Sequence, residues 1–131
     1  MPGMSRRSML AALATSAVLP MQDLAAQKPP ARRQYLYVLR ITPPFQTEAA
    51  WTETENAAVS KHFDRLAKAT TAGQVILAGR TGEPLDKTFG LVIFEADSDA
   101  DAKAFMEADP AVVAGLMTAT LHPYAVALIR K

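Results

Sequence analysis

The chain has 131 residues, half of them hydrophobic and 21% charged, with no cysteine and a formal net charge of +1 at pH 7. That length fits one domain, and the composition is neither disordered nor membrane-like. Near-neutrality gives no electrostatic case for nucleic acid, and the lack of cysteine excludes disulfides, thiolate metal sites and a cysteine nucleophile.

In chain order, residues 1–26 read as an export signal outside the fold. Arg6 and Arg7 precede an apolar stretch, Met9 to Leu19, that is too short to span a bilayer as a helix. Leu24-Ala25-Ala26 then sets a small residue at a cleavage point. The run from Ser5 to Leu10, S-R-R-S-M-L, is similar to a twin-arginine signal, with Met9 where Phe is usual. A general secretory signal is the alternative; an uncleaved anchor and a fortuitous amphipathic helix are weaker ones. The mature protein is therefore expected to be periplasmic or secreted and to meet the membrane only during export. Residues 27–33, which include K-P-P-A-R-R, form a polar linker broken by proline.

Gln34 to Ile41 is rich in aromatic and β-branched residues and reads as a first strand. Tyr35, Tyr37, Leu39 and Ile41 share one face; Leu36, Val38 and Arg40 share the other. Thr42-Pro43-Pro44 ends it, and Phe45 to Thr52 is a loop or the start of a helix. The spacing of Val59, Phe63, Leu66 and Ala67 predicts a helix over Glu53 to Thr71 with those residues as its buried stripe. His62 borders that stripe, Glu55 lies two turns earlier on the same side, and Gly73 is placed as the stop.

Gln74 to Thr81 is a second strand, Gly82 to Lys87 a turn, and Thr88 to Ala96 a third strand that is apolar on both faces and so central. Ser98 caps a helix, with Asp101 three residues on and Ala102, Phe105 and Met106 buried. An abrupt Asp109-Pro110 corner opens a short helical turn that stops at Gly115. Met117 to Ile129 is the last strand. Its interruption at His122-Pro123 marks an edge, a bulge or a crossover to a partner chain, because proline donates nothing to a ladder.

The order β-α-β-β-α-β predicts an α+β, ferredoxin-like subunit over residues 34–131. Two helices cover one sheet face, and apolar residues on the other face call for a second copy of the chain, a homodimer.

Four motifs carry a family resemblance: S-K-H-F-D-R-L around His62, A-G-Q-V-I-L-A-G before Arg80, A-D-P-A-V-V-A-G from Ala108 to Gly115, and H-P-Y from His122. Through them the segment from Tyr35 to Arg130 resembles the YCII family of YciI-like proteins. The resemblance implies a dimeric α/β barrel of ferredoxin-like subunits and a His-Asp pair in a small pocket, here His62 and Asp109. A few relatives are similar to dehydrochlorinases and lactone isomerases; most have no known reaction. Arg80 stands where the family commonly has proline, and it either narrows the pocket or binds an anionic substrate.

The residues themselves admit the same roles beside plainer ones. An imidazole, with a pKa of about 6.5, suits proton transfer near neutrality, and a carboxylate on one ring nitrogen would orient it. Otherwise His62 is a helix histidine half buried beside Phe63. Asp109 before Pro110 is an ordinary helix cap, contributing about 1 kcal/mol, with one oxygen left over for His62. Arg80 and Arg40 are the candidates for substrate binding, although single arginines like these usually sit in water. Glu55, Tyr37 and Trp51 are weaker pocket candidates, and His122 before Pro123 is structural. Two histidines without clustered carboxylates make no metal site, and there is no phosphate-binding glycine loop or nucleophile elbow, so no cofactor is expected. The reading is a cofactor-free enzyme acting on a small organic molecule by elimination, isomerisation or hydrolysis. The alternative is a non-catalytic small-molecule-binding or accessory dimer.

Overall fold

The computed structural model describes residues 32–131. The export segment expected over residues 1–26 and most of the linker lie outside the described residues. The elements are β1 (Arg33–Ile41), α1 (Glu53–Thr71), β2 (Val75–Arg80), β3 (Phe89–Ala96), α2 (Asp99–Glu107), α3 (Pro110–Val113) and β4 (Met117–Tyr124). Two short 3-10 turns, Pro43–Phe45 and Glu48–Ala50, fill the stretch before α1. The four strands form one antiparallel sheet in the order β2-β3-β1-β4. An α+β chain with this order is consistent with a ferredoxin-like fold.

Alternation decides the two faces of the sheet. Tyr35, Tyr37, Leu39 and Ile41 are all buried, and the register sets Tyr37 between Val92 and Leu121 and Tyr35 opposite Phe94. Phe94 is the hub of this layer. Its ring centroid lies 4.8 Å from that of Phe105, 5.5 Å from Tyr37 and 5.8 Å from Tyr35. Each such side chain contributes about 1.5–3 kcal/mol through burial, and each aromatic pair about 0.5–1.5 kcal/mol more. The opposite face carries Leu36, Val38, Leu77, Leu91 and Ile93, paired across the strands and left partly or fully exposed within the chain.

Helix ends follow local chemistry. The Thr52 hydroxyl accepts from the Thr54 N–H and donates to the Glu55 carboxylate, closing the start of α1, and Gly73 at φ +86° ends it. Ser98 caps α2 by accepting from the Asp101 N–H. Asp109 caps α3, and Gly115 at φ +73° terminates the turn that follows.

Two expectations need correction. The inward positions of α1 are Ala58, His62, Arg65, Leu66 and Ala69, whereas Ala67 is exposed and Phe63 is 69% exposed. The helix is turned because Val59, Phe63 and Ala67 face a hollow instead of packed core. The last strand ends at Tyr124, not Ile129. Pro123 keeps its register opposite Tyr35, with no bulge there, on the outer strand of the four, which tolerates a proline. Beyond Tyr124 no ladder continues among the described residues, and the Val126 N–H donates to the Gln34 side-chain oxygen at 2.8 Å.

Candidate functional site

The site begins with a proline. Pro110 has no N–H and cannot extend α2, so the chain turns at Asp109 and restarts as α3. The turn drives the Asp109 carboxylate inward, where it is 0% exposed. Three donors meet it there. Its Oδ1 accepts from the Ala111 N–H at 2.9 Å, and its Oδ2 accepts from the Tyr37 hydroxyl at 2.8 Å. The His62 Nδ1 lies 2.7 and 2.8 Å from the two oxygens. Burial alone would raise the Asp109 pKa. The hydrogen bond and charge of His62 outweigh it and, with the bonds from Tyr37 and Ala111, hold the carboxyl below its ordinary range.

An ionised carboxylate only accepts, which fixes its partners. Nδ1 of His62 carries a proton and donates it. The Tyr37 phenol also donates, and burial followed by the charge of Asp109 pushes its pKa far up, so it stays protonated. The neutral imidazole then has its lone pair on Nε2, the nitrogen not engaged by Asp109.

His62 also lines a cavity of about 1030 Å³ between α1 and the sheet. Val59, Phe63, Leu66, Trp51, Leu85 and Met117 give it a largely apolar wall. Arg80, Asn56, Glu48 and the two hydroxyls Thr70 and Thr88 are its other polar groups.

His62 and Arg80, the last residue of β2, both line this cavity, whereas Asp109 is bonded to His62 without lining it. Arg40 does not join them. Alternation along β1 turns it to the opposite face, where its guanidinium lies 5.2 Å from the Phe89 ring centroid, and it lines no part of the cavity. Trp51 is a wall residue, its indole N–H held by the Phe45 carbonyl at 2.7 Å. Glu55 is occupied at the cap of α1, and His122 lies exposed on β4, 3.3 Å from Thr120 Oγ1.

Two roles were missed. Tyr37, read as a weak pocket candidate, is the buried donor to Asp109; a tyrosine in an otherwise apolar inward stripe was the signal, because a buried hydroxyl needs a partner. Arg65, which the helical periodicity leaves off the apolar stripe, packs its guanidinium 4.2 Å from the Phe105 ring centroid and donates Nη2 to the Phe105 carbonyl at 2.8 Å. Its place three residues after His62 puts it on the same side of the helix. Among the described residues no three His, Cys, Asp or Glu side chains are grouped to hold a metal ion.

Against known protein families, residues 34–121 match the model of the YCII-related domain. No curated protein matches the chain.

Proposed function

Because the chain belongs to the YCII-related family, we propose that it is a cofactor-free enzyme that moves a proton within a small organic molecule held in the cavity. The observation that carries this reading is the pairing of a buried, ionised Asp109 with Nδ1 of His62, which leaves Nε2 as a base beside an apolar cavity. Nε2 takes a proton from a carbon or hydroxyl of the substrate, and the imidazolium so formed is stabilised by Asp109. Return of that proton to a neighbouring atom completes an isomerisation. Departure of a leaving group completes an elimination, and abstraction from water instead of substrate begins a hydrolysis. His62 is the catalytic residue; Asp109 and Tyr37 position it.

Incubation with lactones and other activated carbon acids in D2O tests the step without naming a substrate. Deuterium should enter the acidic C–H position with wild-type protein and not with His62→Gln. If several such compounds bind and none exchanges, the protein is instead a small-molecule-binding or accessory protein, a reading favoured by the size and apolar wall of the cavity.

The same proposal includes a homodimer in which a second copy covers the face bearing Leu36, Val38, Leu77, Leu91 and Ile93, closing two sheets into a barrel. A monomer by light scattering at micromolar concentration would contradict it. It also includes export, with residues 1–26 removed and residues 34–131 active in the periplasm or outside the cell. Lysine in place of both Arg6 and Arg7 should hold the precursor in the cytoplasm if the twin-arginine route is used.

A further inference from the structure

Gly90 is the second residue of β3, an inner strand, in a run otherwise made of Phe89, Leu91, Val92, Ile93 and Phe94. Its backbone does not require glycine, since Gly73 and Gly115 are the only positive-φ glycines among the described residues. Packing does not require it either: a Cβ there would meet the Leu39 side chain and the Gly79 carbonyl at 3.5 Å, ordinary contact. Glycine within a strand weakens it and often marks a place where a ligand comes close. What the missing side chain leaves is room on the helix-side face of the sheet, and both Gly90 and Leu39 line the cavity there.

The cross-strand partner of Gly90 is Arg80. Among the described residues Arg80 has no ion pair and no side-chain hydrogen bond, although it lines the cavity. Ala78, two residues earlier on β2, is also small and also lines it. An arginine thus stands beside small residues of the sheet, on the wall of an apolar chamber that has His62 on its helix side.

We propose that Arg80 and the gap over Gly90 form the subsite for the carboxylate of an amphipathic monoanion whose apolar, aromatic or alicyclic body fills the chamber toward His62. This rests on the reading of the His62 cavity as the functional site and adds the class of its ligand. A guanidinium matches a carboxylate with two parallel hydrogen bonds. A phosphate dianion fits less well, because Arg80 is the only lysine or arginine among the described residues on the wall, and the wall also carries Glu48. A cavity of about 1030 Å³ suits a body of two fused rings or more.

Three probes of one shape test the subsite by calorimetry: 2-naphthoate, 2-naphthalenemethanol and 2-naphthyl phosphate. Wild-type protein should bind 2-naphthoate about tenfold or more tightly than the neutral alcohol, and no less tightly than the phosphate. Arg80→Met, a change at an exposed strand end, should reduce 2-naphthoate to the level of the alcohol and leave the alcohol unchanged. Gly90→Val should weaken both by filling the gap. His62→Gln should keep the preference for carboxylate. Equal binding of acid and alcohol, a preference that survives Arg80→Met, or no binding of 2-naphthoate at millimolar concentration would overturn the proposal. Carboxylate preference without His62-dependent deuterium exchange would leave the subsite standing and remove the catalytic reading; exchange without the preference would do the reverse.

Discussion

The helix-covered face of the sheet is packed in two opposite ways. Under α2 and α3, Phe94, Phe105, Tyr35 and Tyr37 interlock, and even the carboxylate of Asp109 is fully covered and fully bonded. Under α1, small residues at Ala67, Ala78 and Gly90 leave a chamber, and Phe63 stands largely exposed at its wall. The dense half holds a charged group in one position that a loose interior would not. The hollow half gives up packing for space. His62 stands on the border: its Nδ1 is bonded to the buried Asp109, and its side chain lines the chamber. The contrast teaches that an imidazole can be oriented by the core of a small domain while its side chain still borders open space.

The largest expected effects lie in the dense half. Asp109→Ala leaves the Tyr37 hydroxyl, the Ala111 N–H and His62 without their acceptor, and should cost about 3–5 kcal/mol by chemical denaturation. Phe94→Ala, which empties the centre of the aromatic cluster, should cost about the same. A loss below about 1 kcal/mol in either would mean that the two halves are not packed differently.

Acid should sharpen the contrast. The folded-state pKa of Asp109 is lowered, so its contribution is complete above the unfolded value of about 3.9 and is lost as pH falls through the folded value. The stability gap between wild type and Asp109→Asn should therefore be open at about pH 5 and close as pH falls below about 4. A gap that stays open in acid would show that charge on Asp109 contributes nothing.

Tyr37→Phe removes one donor to the buried carboxylate and keeps the ring, with an expected loss of about 1.5–3 kcal/mol. The smallest effect belongs to the hollow half. Phe63→Ala, the same chemical change as Phe94→Ala, should stay within about 0.5 kcal/mol because the ring is mostly in solvent. The same variant should weaken binding of 2-naphthoate. A large loss of stability there would make Phe63 core and the chamber an accident of packing.

The element order was legible because each boundary has its own chemistry: Ser98 and Asp109 as caps, Gly73 and Gly115 as stops, alternation in Gln34–Ile41. The nearness of His62 to Asp109 came from the family resemblance; what the residues added was the reason Asp109 points inward. The rotation of α1 was not legible, because Val59 and Phe63 have the same periodicity whether they face core or cavity. Arg40 and Arg80 looked equivalent as lone strand arginines. They separate once the helices cover the tyrosine-bearing face of β1. The run after Tyr124 has strand composition, but composition does not supply a pairing partner.

The central claim is that Asp109 fixes the proton of His62 on Nδ1 and so keeps Nε2 a base. Nitrogen-15 NMR of the imidazole, at a pH where the ring is neutral, tests this most directly. The expected result is a single tautomer with a protonated Nδ1 and an unprotonated Nε2, inverted in Asp109→Asn as the amide N–H₂ donates to Nδ1. A wild-type spectrum showing the Nε2–H form, or the free mixture of both, would contradict it.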